Sequence, residues 1–265
     1  MKTLAASIFA TADEVVIDSL ISCFANPDPT IRDKAAFTLW SDGLRGNHLS
    51  PALLRHAAAR LSAVLAAPDD EAGFYKPFAA LALSEVARTD RVTSWMSDTE
   101  RHKLAETGAA YLRDVTDYRG FTPDEGWRHG VAHGSDLALQ LALNPRLARA
   151  DAERLLAAIA AQVAPDASDA SPFYHYGEPA RLARPVLSLA TRADIDDAAW
   201  AAWFGALHPD HGARWRDAYA SDAGLAAIHN TTAFANAIHV AATEAPDPQI
   251  KRLAPLAADL LKALP

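Results

Sequence analysis

Residues 74–89 read Phe-Tyr-Lys-Pro-Phe-Ala-Ala-Leu-Ala-Leu-Ser-Glu-Val-Ala-Arg-Thr, and this stretch decides the fold class. Alanine and leucine dominate it, as they dominate the apolar residues of the whole chain, and both are strong helix formers. Runs of β-branched residues and alternating strand-like patterns are short throughout the sequence. We therefore predict an all-α protein with almost no sheet.

Capping residues and prolines mark where the predicted helices begin, because a short polar side chain can bind free N–H groups and a first-turn proline has no donor to lose. The clearest starts are Asp28-Pro29, Ser50-Pro51, Ser97 to Glu100, Thr122 to Glu125 and Asp247-Pro248. The spans predicted from them are 12–25, 29–43, 51–66, 74–89, 98–114, 123–142, 150–163, 178–191, 195–206, 222–242 and 248–263. Pro185 and Pro255 fall inside two of these spans and predict a kink or a break.

Two similar segments near opposite ends of the chain indicate a repeat architecture. Residues 28–32 (Asp-Pro-Thr-Ile-Arg) and residues 247–251 (Asp-Pro-Gln-Ile-Lys) are each followed by alanines that allow neighbouring helices to approach closely. This pattern resembles the second helix of a HEAT repeat. We predict one domain over residues 1–265, a HEAT-like array of antiparallel helical hairpins that forms an α-α superhelix.

The composition indicates which classes of partner and which cellular compartment to expect. The 33 acidic residues outnumber the 25 basic ones, and the basic residues are scattered, which disfavours a nucleic-acid partner. No apolar stretch approaches the length of a membrane span, so no membrane association is expected. Cys23 is the only cysteine, which indicates a reducing compartment, and we expect the cytoplasm.

A polar stripe on the predicted helix 123–142 carries the main functional hypothesis. At 100° per residue His129, His133 and Asp136 share one face of that helix, while apolar side chains cover the others. An exposed stripe usually carries Lys and Glu. Two histidines and an aspartate therefore indicate a surface that another part of the protein or a bound molecule contacts closely.

Three interpretations of this stripe remain open. Imidazoles four residues apart match the spacing of helical zinc ligands, with Asp136 as a third ligand, although Gly130 stands where a metalloprotease has its glutamate. Alternatively His133 or His129 acts as a base on an organic substrate and Asp136 orients it. The third interpretation is a hydrogen-bonded network that only fixes neighbouring helices.

Two further clusters are candidates for binding a ligand. Glu85 and Arg88 lie one turn apart on an apolar helix and could pair with each other or with the loop that holds Asp117 and Arg119. Residues 173–179 are unusually aromatic for a connection and could cover a pocket mouth. Structural alternatives exist for both, namely an ion pair that fixes a loop and a loop packed onto the core. The residues assigned to ligand binding are Trp127, Arg119, Asp117, Glu85, Arg88, His175, Glu178 and Arg181.

The same residues resemble a known family. Residues 117–121 (Asp-Tyr-Arg-Gly-Phe), 126–137 (Gly-Trp-Arg-His-Gly-Val-Ala-His-Gly-Ser-Asp-Leu) and the apolar stretch 78–83 look like the bacterial DUF2785 domain family. The similarity is strongest over residues 74–140 and extends to the segment around Glu178 and Arg181. The resemblance implies an all-α fold and marks Trp127, His129, His133, Asp136, Asp117 and Arg119, but it implies no activity.

These observations predict a pocket for a small polar molecule around His129, His133 and Asp136, and they leave open whether the protein is an enzyme. One alternative is a protein-binding scaffold without catalysis, because helical arrays present broad concave surfaces. Another is a metal-dependent hydrolase that uses the same three residues. No Gly-rich phosphate loop, G-x-S-x-G elbow or CxxC pair occurs in the sequence, so no cofactor is predicted and no metal ligands are assigned.

Overall fold

The computed structural model describes residues 2–165, 173–208 and 215–265, and their regular structure is almost entirely helical. The helices are α1 (Lys2–Phe9), α2 (Glu14–Ser22), α3 (Thr38–Arg45), α4 (Pro51–Ala66), α5 (Tyr75–Val92), α6 (Asp98–Asp114), α7 (Gly130–Ala142), α8 (Arg149–Val163), α9 (Glu178–Ala190), α10 (Asp197–Ala206), α11 (Asp222–Glu244), α12 (Pro248–Lys251) and α13 (Leu253–Ala263). Strands β1 (Phe121–Thr122) and β2 (Gly126–Trp127) form one antiparallel hairpin. The all-α prediction is confirmed.

Six of the described helices begin with a side chain that caps the first turn. The Ser50 hydroxyl accepts a hydrogen bond from the backbone N–H of Leu53, and Pro51 occupies the first position of α4. Ser97 and Glu100 form the complete capping box at the start of α6. These local hydrogen bonds satisfy N–H groups that would otherwise lack partners, so the predicted starts of α4 and α6 are confirmed.

Three predicted helices differ from the structure in their continuity. The predicted span 29–43 is divided into a π-helical segment, Thr30–Phe37, and α3. Pro185 does not break α9, which continues through it. The predicted span 248–263 divides at Arg252, and Pro255 lies in the first turn of α13, where its missing donor costs little.

Helices two apart in the chain pack against each other. Contacts join α1 to α3, α3 to α5, and so on through α7, α9, α11 and α13. A second series joins α2, α4, α6 and α8. Helix α7 therefore lies inside the molecule, in contact with α5, α6, α8 and α9, and it is largely buried.

Glycines allow α6 and α7 to approach closely. A Cβ atom at Gly108 of α6 would lie 3.1 Å from a methyl carbon of Leu141, and one at Gly134 of α7 would lie 3.1 Å from both Leu112 and Tyr111. Such distances are tighter than ordinary packing, so larger residues at these two positions would push the helices apart. This close contact fixes α7, whose first turn carries the candidate site.

One continuous core runs through the molecule, from Ala5 to Leu260. Its largest fully buried side chains include Trp40 and Trp200. The indole N–H of Trp40 donates to the carbonyl oxygen of Ala82 at 3.0 Å, which ties α3 to α5. In the described part of the chain, every helix is too short or too polar to cross a bilayer.

Candidate functional site

The structure corrects the predicted helix 123–142. Residues 121–127 form the β1–β2 hairpin, and α7 begins only at Gly130. The Thr122 hydroxyl does accept the N–H of Glu125, at 3.3 Å, but the bond closes a turn and not the start of a helix. Gly126 has a φ of +75°, a left-handed conformation that a continuing α-helix excludes and glycine adopts without strain.

Two buried arginines hold this hairpin in place. The Arg32 guanidinium donates to the Glu125 carbonyl oxygen at 2.8 Å, and Arg128 donates to the carbonyl oxygen of Ala72 at 2.7 Å. The two guanidinium carbons lie 4.0 and 4.1 Å from the centre of the Phe74 ring. Stacking on an aromatic ring suits the flat guanidinium, so the hairpin is anchored to the start of α5 and to the π-helical segment.

His129 is the N-cap of α7, one residue before the helix begins, so the helical backbone predicted at this residue is wrong. Its backbone is left-handed, with φ +61° and ψ +43°, which costs a non-glycine residue about 1 to 2 kcal/mol. Its imidazole stacks on the Trp127 ring with centroids 4.7 Å apart and on the His133 ring with centroids 5.9 Å apart. The two histidines are therefore neighbours across the first turn of α7, where the His133 N–H also donates to the His129 carbonyl oxygen at 3.0 Å.

The Nε2 atom of His129 is buried and has no hydrogen-bond partner among the residues that the structure describes. Oε1 of Glu178 lies 3.8 Å from it, which is too long for a hydrogen bond. Burial, with a smaller contribution from the positive charge of Arg181, lowers the pKa of His129 to about 4. The imidazole is consequently neutral at physiological pH.

His133 is a buried structural neighbour of this group. Its Nδ1 lies 3.1 Å from the carbonyl oxygen of Pro77, which can only accept, so Nδ1 carries the proton. The edge of the Phe78 ring packs against it. Burial, assisted by the nearby His129 and Arg181, lowers the pKa of His133 to about 3. Both imidazoles are thus weak bases.

Asp136 is paired with Arg181 and does not orient an imidazole. The carboxylate and the guanidinium form an ion pair between α7 and α9. Burial raises the pKa of Asp136, although the Arg181 charge opposes the rise. The Nε atom of Arg181 is buried and, like His129 Nε2, has no partner in the described part of the chain.

Three exposed aromatic residues, Phe121, Trp127 and Tyr176, lie together at the surface, and the rings of Trp127 and Tyr176 contact the His129 ring. They are 43%, 37% and 40% exposed, respectively. The Trp127 ring centroid lies 5.1 Å from that of Phe121 and 5.5 Å from that of Tyr176. We call these three residues the aromatic cluster. Large exposed side chains in contact with one another mark an interaction site more often than isolated ones do.

Tyr176 is held over the hairpin by several contacts. Its ring lies so close to Gly120 that a Cβ atom there would overlap it, and its hydroxyl donates to the Phe121 carbonyl oxygen at 3.4 Å. Its backbone N–H donates to the buried Glu178 carboxylate at 2.9 Å. The aromatic connection 173–179 therefore lies against the hairpin, where His175 is exposed beside Tyr176.

The remaining predicted ligand residues occupy separate places. Asp117 and Arg119 pair with each other at 2.6 Å at the edge of the site. The predicted pairing of Glu85 with Arg88 or with the 117–120 loop is not found. Glu85 pairs instead with Arg45 of α3, whose Nε donates to it at 2.9 Å. Sequence reasoning had no signal for this pair, because forty residues separate the partners. Phe121 and Pro77 were also missed as parts of the site.

The geometry does not support the metal-site interpretation. Within residues 2–165, 173–208 and 215–265, no three His, Cys, Asp or Glu side chains are arranged to hold a metal ion. The Asp136 carboxylate is paired with Arg181, and Nδ1 of His133 donates to the Pro77 carbonyl oxygen. The predicted three-ligand set would have to break the ion pair of Asp136, although His133 could still bind a metal through Nε2 while Nδ1 donates to the carbonyl oxygen.

Fold and site together define an all-α protein with two neutral, buried imidazoles under an aromatic cluster. A family model described as "Protein of unknown function (DUF2785)" matches residues 61–240, well over half of the sequence. The chain belongs to the DUF2785 family, as its motifs indicated. Comparisons with curated proteins and with solved structures found no match.

Proposed function

We propose that this protein binds a small planar molecule at the aromatic cluster, with His129 as the group that hydrogen-bonds to it. The observation that carries the proposal is the buried Nε2 atom of His129, which has no partner among the described residues, in a residue with a strained backbone conformation. Unpaired buried polar atoms are rare and costly, and backbone strain concentrates at functional sites. Because the rings of Trp127 and Tyr176 lie against the imidazole, one of them would move aside to admit a ligand atom, which would then satisfy Nε2.

The chemistry of the surroundings suggests the shape of the ligand. Trp127 and Tyr176 offer ring surfaces on which a flat molecule can stack. The Arg181 Nε–H, also unpartnered in the described part of the chain, is a donor for a carbonyl or carboxylate oxygen on that molecule. A planar ring with a polar edge satisfies both requirements.

Binding fits this site better than proton abstraction. A general base works best with a pKa near the operating pH, whereas the pKa of His129 is about 4 and that of His133 about 3. A neutral imidazole, by contrast, is a good hydrogen-bonding group at pH 7. The predicted catalytic roles of His129, His133 and Asp136 are therefore not part of this proposal.

The test uses four planar probes, adenine, nicotinamide, benzoate and indole, with cyclohexanol as a non-planar comparison. Binding to the full chain is measured by saturation-transfer NMR. We expect at least one planar probe to bind, Trp127→Ala to abolish its signal and His129→Asn to reduce it. Asparagine tolerates the left-handed backbone, so this substitution changes the ring and not the conformation.

Tyr219→Ala is the matched control, because Tyr219 is an exposed aromatic residue outside the cluster. It should leave the signal unchanged. Failure of every planar probe to bind, or equal binding to Trp127→Ala, would overturn the proposal. If Trp127→Ala instead removes co-purification of another protein, the scaffold alternative gains support.

We further propose that the helices form a HEAT-like array of hairpins. The support is the packing of alternate helices into two series, one from α1 to α13 and one from α2 to α8. The half-buried Cys23, the only cysteine of the sequence, fits a reducing compartment, and we propose a cytoplasmic location on that ground.

A further inference from the structure

We propose that a cleft behind the candidate site binds an organic cation with an apolar body. This cleft has a volume of about 530 Å³, within the range of small-molecule sites. It lies between the end of α4, the start of α5 and the second half of α6, and loop residues 69–73 and 115–117 complete its wall. We call it the acidic cleft.

Apolar side chains from α4 and α6 line part of the acidic cleft. Leu65 and Ala66 come from α4, Ala110 and Tyr111 from α6, and Val115 follows α6. Leu65 and Tyr111 are each 7% exposed, so their apolar atoms are firmly packed and present a fixed surface. An alkyl chain or ring placed here would leave water for an apolar wall, which favours binding by roughly 25 cal/mol per Å² of buried apolar area.

Carboxylates dominate the charge of the lining. They belong to Asp69, Asp70, Glu106, Asp114 and Asp117. Among the described residues of the lining, Lys76 is the only basic one, and its ammonium group is already paired with Asp69 at 2.7 Å. An ammonium ligand is therefore attracted and a carboxylate ligand repelled, although each exposed carboxylate contributes only about 0.2 to 1 kcal/mol because water screens its charge.

The basic partners of Asp114, Asp117 and Glu106 belong to residues that do not line the cleft. Arg113 pairs with Asp114 at 2.7 Å, and Arg119 pairs with Asp117. Arg154 lies 3.4 Å from Glu106. These arginine side chains are about two-fifths or more exposed, so water screens their charges and weakens these pairs.

The loop that forms the rim is fixed before any ligand arrives. The Asp70 carboxylate accepts the N–H of Gly73 at 2.6 Å, and Arg128 and Arg119 bind the carbonyl oxygens of Ala72 and Glu71. A preformed site loses less conformational entropy on binding than a mobile one does.

The acidic cleft is separate from the aromatic cluster. Pro77 and Tyr111 line the cleft, and their opposite sides meet α7, where His133 contacts the Pro77 carbonyl and the Tyr111 hydroxyl donates to the Gly130 carbonyl. Failure of either proposal therefore leaves the other intact.

The experiment compares three probes of equal length and different charge: hexylammonium, hexanol and hexanoate. Binding to the full chain is measured by isothermal titration calorimetry at low ionic strength. We expect hexylammonium to bind at least tenfold more tightly than hexanol, and hexanoate not to bind. Added salt should weaken the binding of hexylammonium, because screening reduces the attraction between exposed charges.

Variants show where the probe binds. The double substitution Asp69→Asn with Asp114→Asn should weaken hexylammonium at least tenfold, and Ala110→Trp should abolish binding by filling the cleft. Ala66→Trp, at an exposed position of the wall, serves if Ala110→Trp fails to fold. The control is Asp259→Asn, which removes a carboxylate paired with Lys262 as Asp69 is paired with Lys76.

Equal affinity for hexylammonium and hexanol would overturn the proposal. The proposal would also be wrong if a folded tryptophan variant, Ala110→Trp or Ala66→Trp, still binds hexylammonium. A loss of affinity in Asp259→Asn as large as in the double variant would do the same, because the attraction would then come from the overall charge of the chain.

Discussion

His129 combines a strained backbone with a buried side-chain nitrogen that has no partner among the described residues. The strain has a direct consequence for stability. Glycine removes the steric cost of the left-handed conformation, whereas alanine retains it. We expect His129→Gly to be more stable than His129→Ala by about 1 kcal/mol, as measured by urea unfolding.

The reverse order is expected at His102, which lies within a regular helix. There His102→Gly should be less stable than His102→Ala by about 1 kcal/mol, because glycine has the lower helix propensity. If alanine is more stable than glycine at both positions, His129 is not strained.

The buried imidazoles should make stability depend on pH. Burial lowers the pKa of His133 to about 3 and that of His129 to about 4, below the value near 6.5 in an unfolded chain. Between those limits the unfolded chain binds protons that the folded chain does not. The free energy of unfolding should therefore be highest above pH 6.5 and fall as the pH is lowered towards 4.

The comparison between variants isolates this effect. In His133→Gln the loss of stability between pH 7 and pH 4.5 should be smaller than in the wild type by on the order of 2 kcal/mol. The exposed His175→Gln is the control and should leave the slope unchanged. Burial raises the pKa of Asp136, and this makes the folded state more stable as the pH falls, opposite to the effect of the histidines. The wild-type slope therefore combines both effects, and the prediction for His133 is wrong if His133→Gln has the same slope as the wild type.

At the scale of the element, the position of α7 depends on its close approach to α6. Gly134→Leu would place a large side chain against Tyr111 and Leu112, and we expect a loss of about 1 to 3 kcal/mol. A Cβ atom at Gly205 of α10 would meet no neighbouring group of the described residues within 4 Å, so Gly205→Ala should instead stabilise by about 0.4 to 1 kcal/mol. Thermal and urea unfolding measure both changes. Destabilisation by Gly205→Ala would show that a Cβ atom at this position does meet a neighbouring group.

The hairpin shows where local patterns mislead at this scale. The Thr122 and Glu125 pair forms the hydrogen bond that a helix start would have, but a turn uses the same bond. What prevents a helix there is the left-handed conformation of Gly126 and His129, together with the anchoring of Glu125 by the distant Arg32. No pattern within ten residues contains that information.

At the scale of the whole molecule, the continuous core predicts cooperative unfolding. Trp40 of α3 is fully buried and hydrogen-bonds to α5, so Trp40→Ala should cost about 3 to 5 kcal/mol. Because the core runs unbroken from Ala5 to Leu260, far-ultraviolet circular dichroism and tryptophan fluorescence should shift together in this variant. Separate transitions for the two signals would show that the terminal helices fold independently.

The sequence by itself determined the fold class, the starts of helices such as α4 and α6, and the family, because helix propensity, capping and motif spacing act over a few residues. It also marked the region of the site through Trp127, His129 and His133. Only the tertiary structure decided that His129 stacks outside the helix, that Asp136 pairs with Arg181 and that Glu85 pairs with Arg45. Those ion pairs join residues at least forty positions apart, so they depend on which helices pack together, and that packing is a property of the whole folded chain.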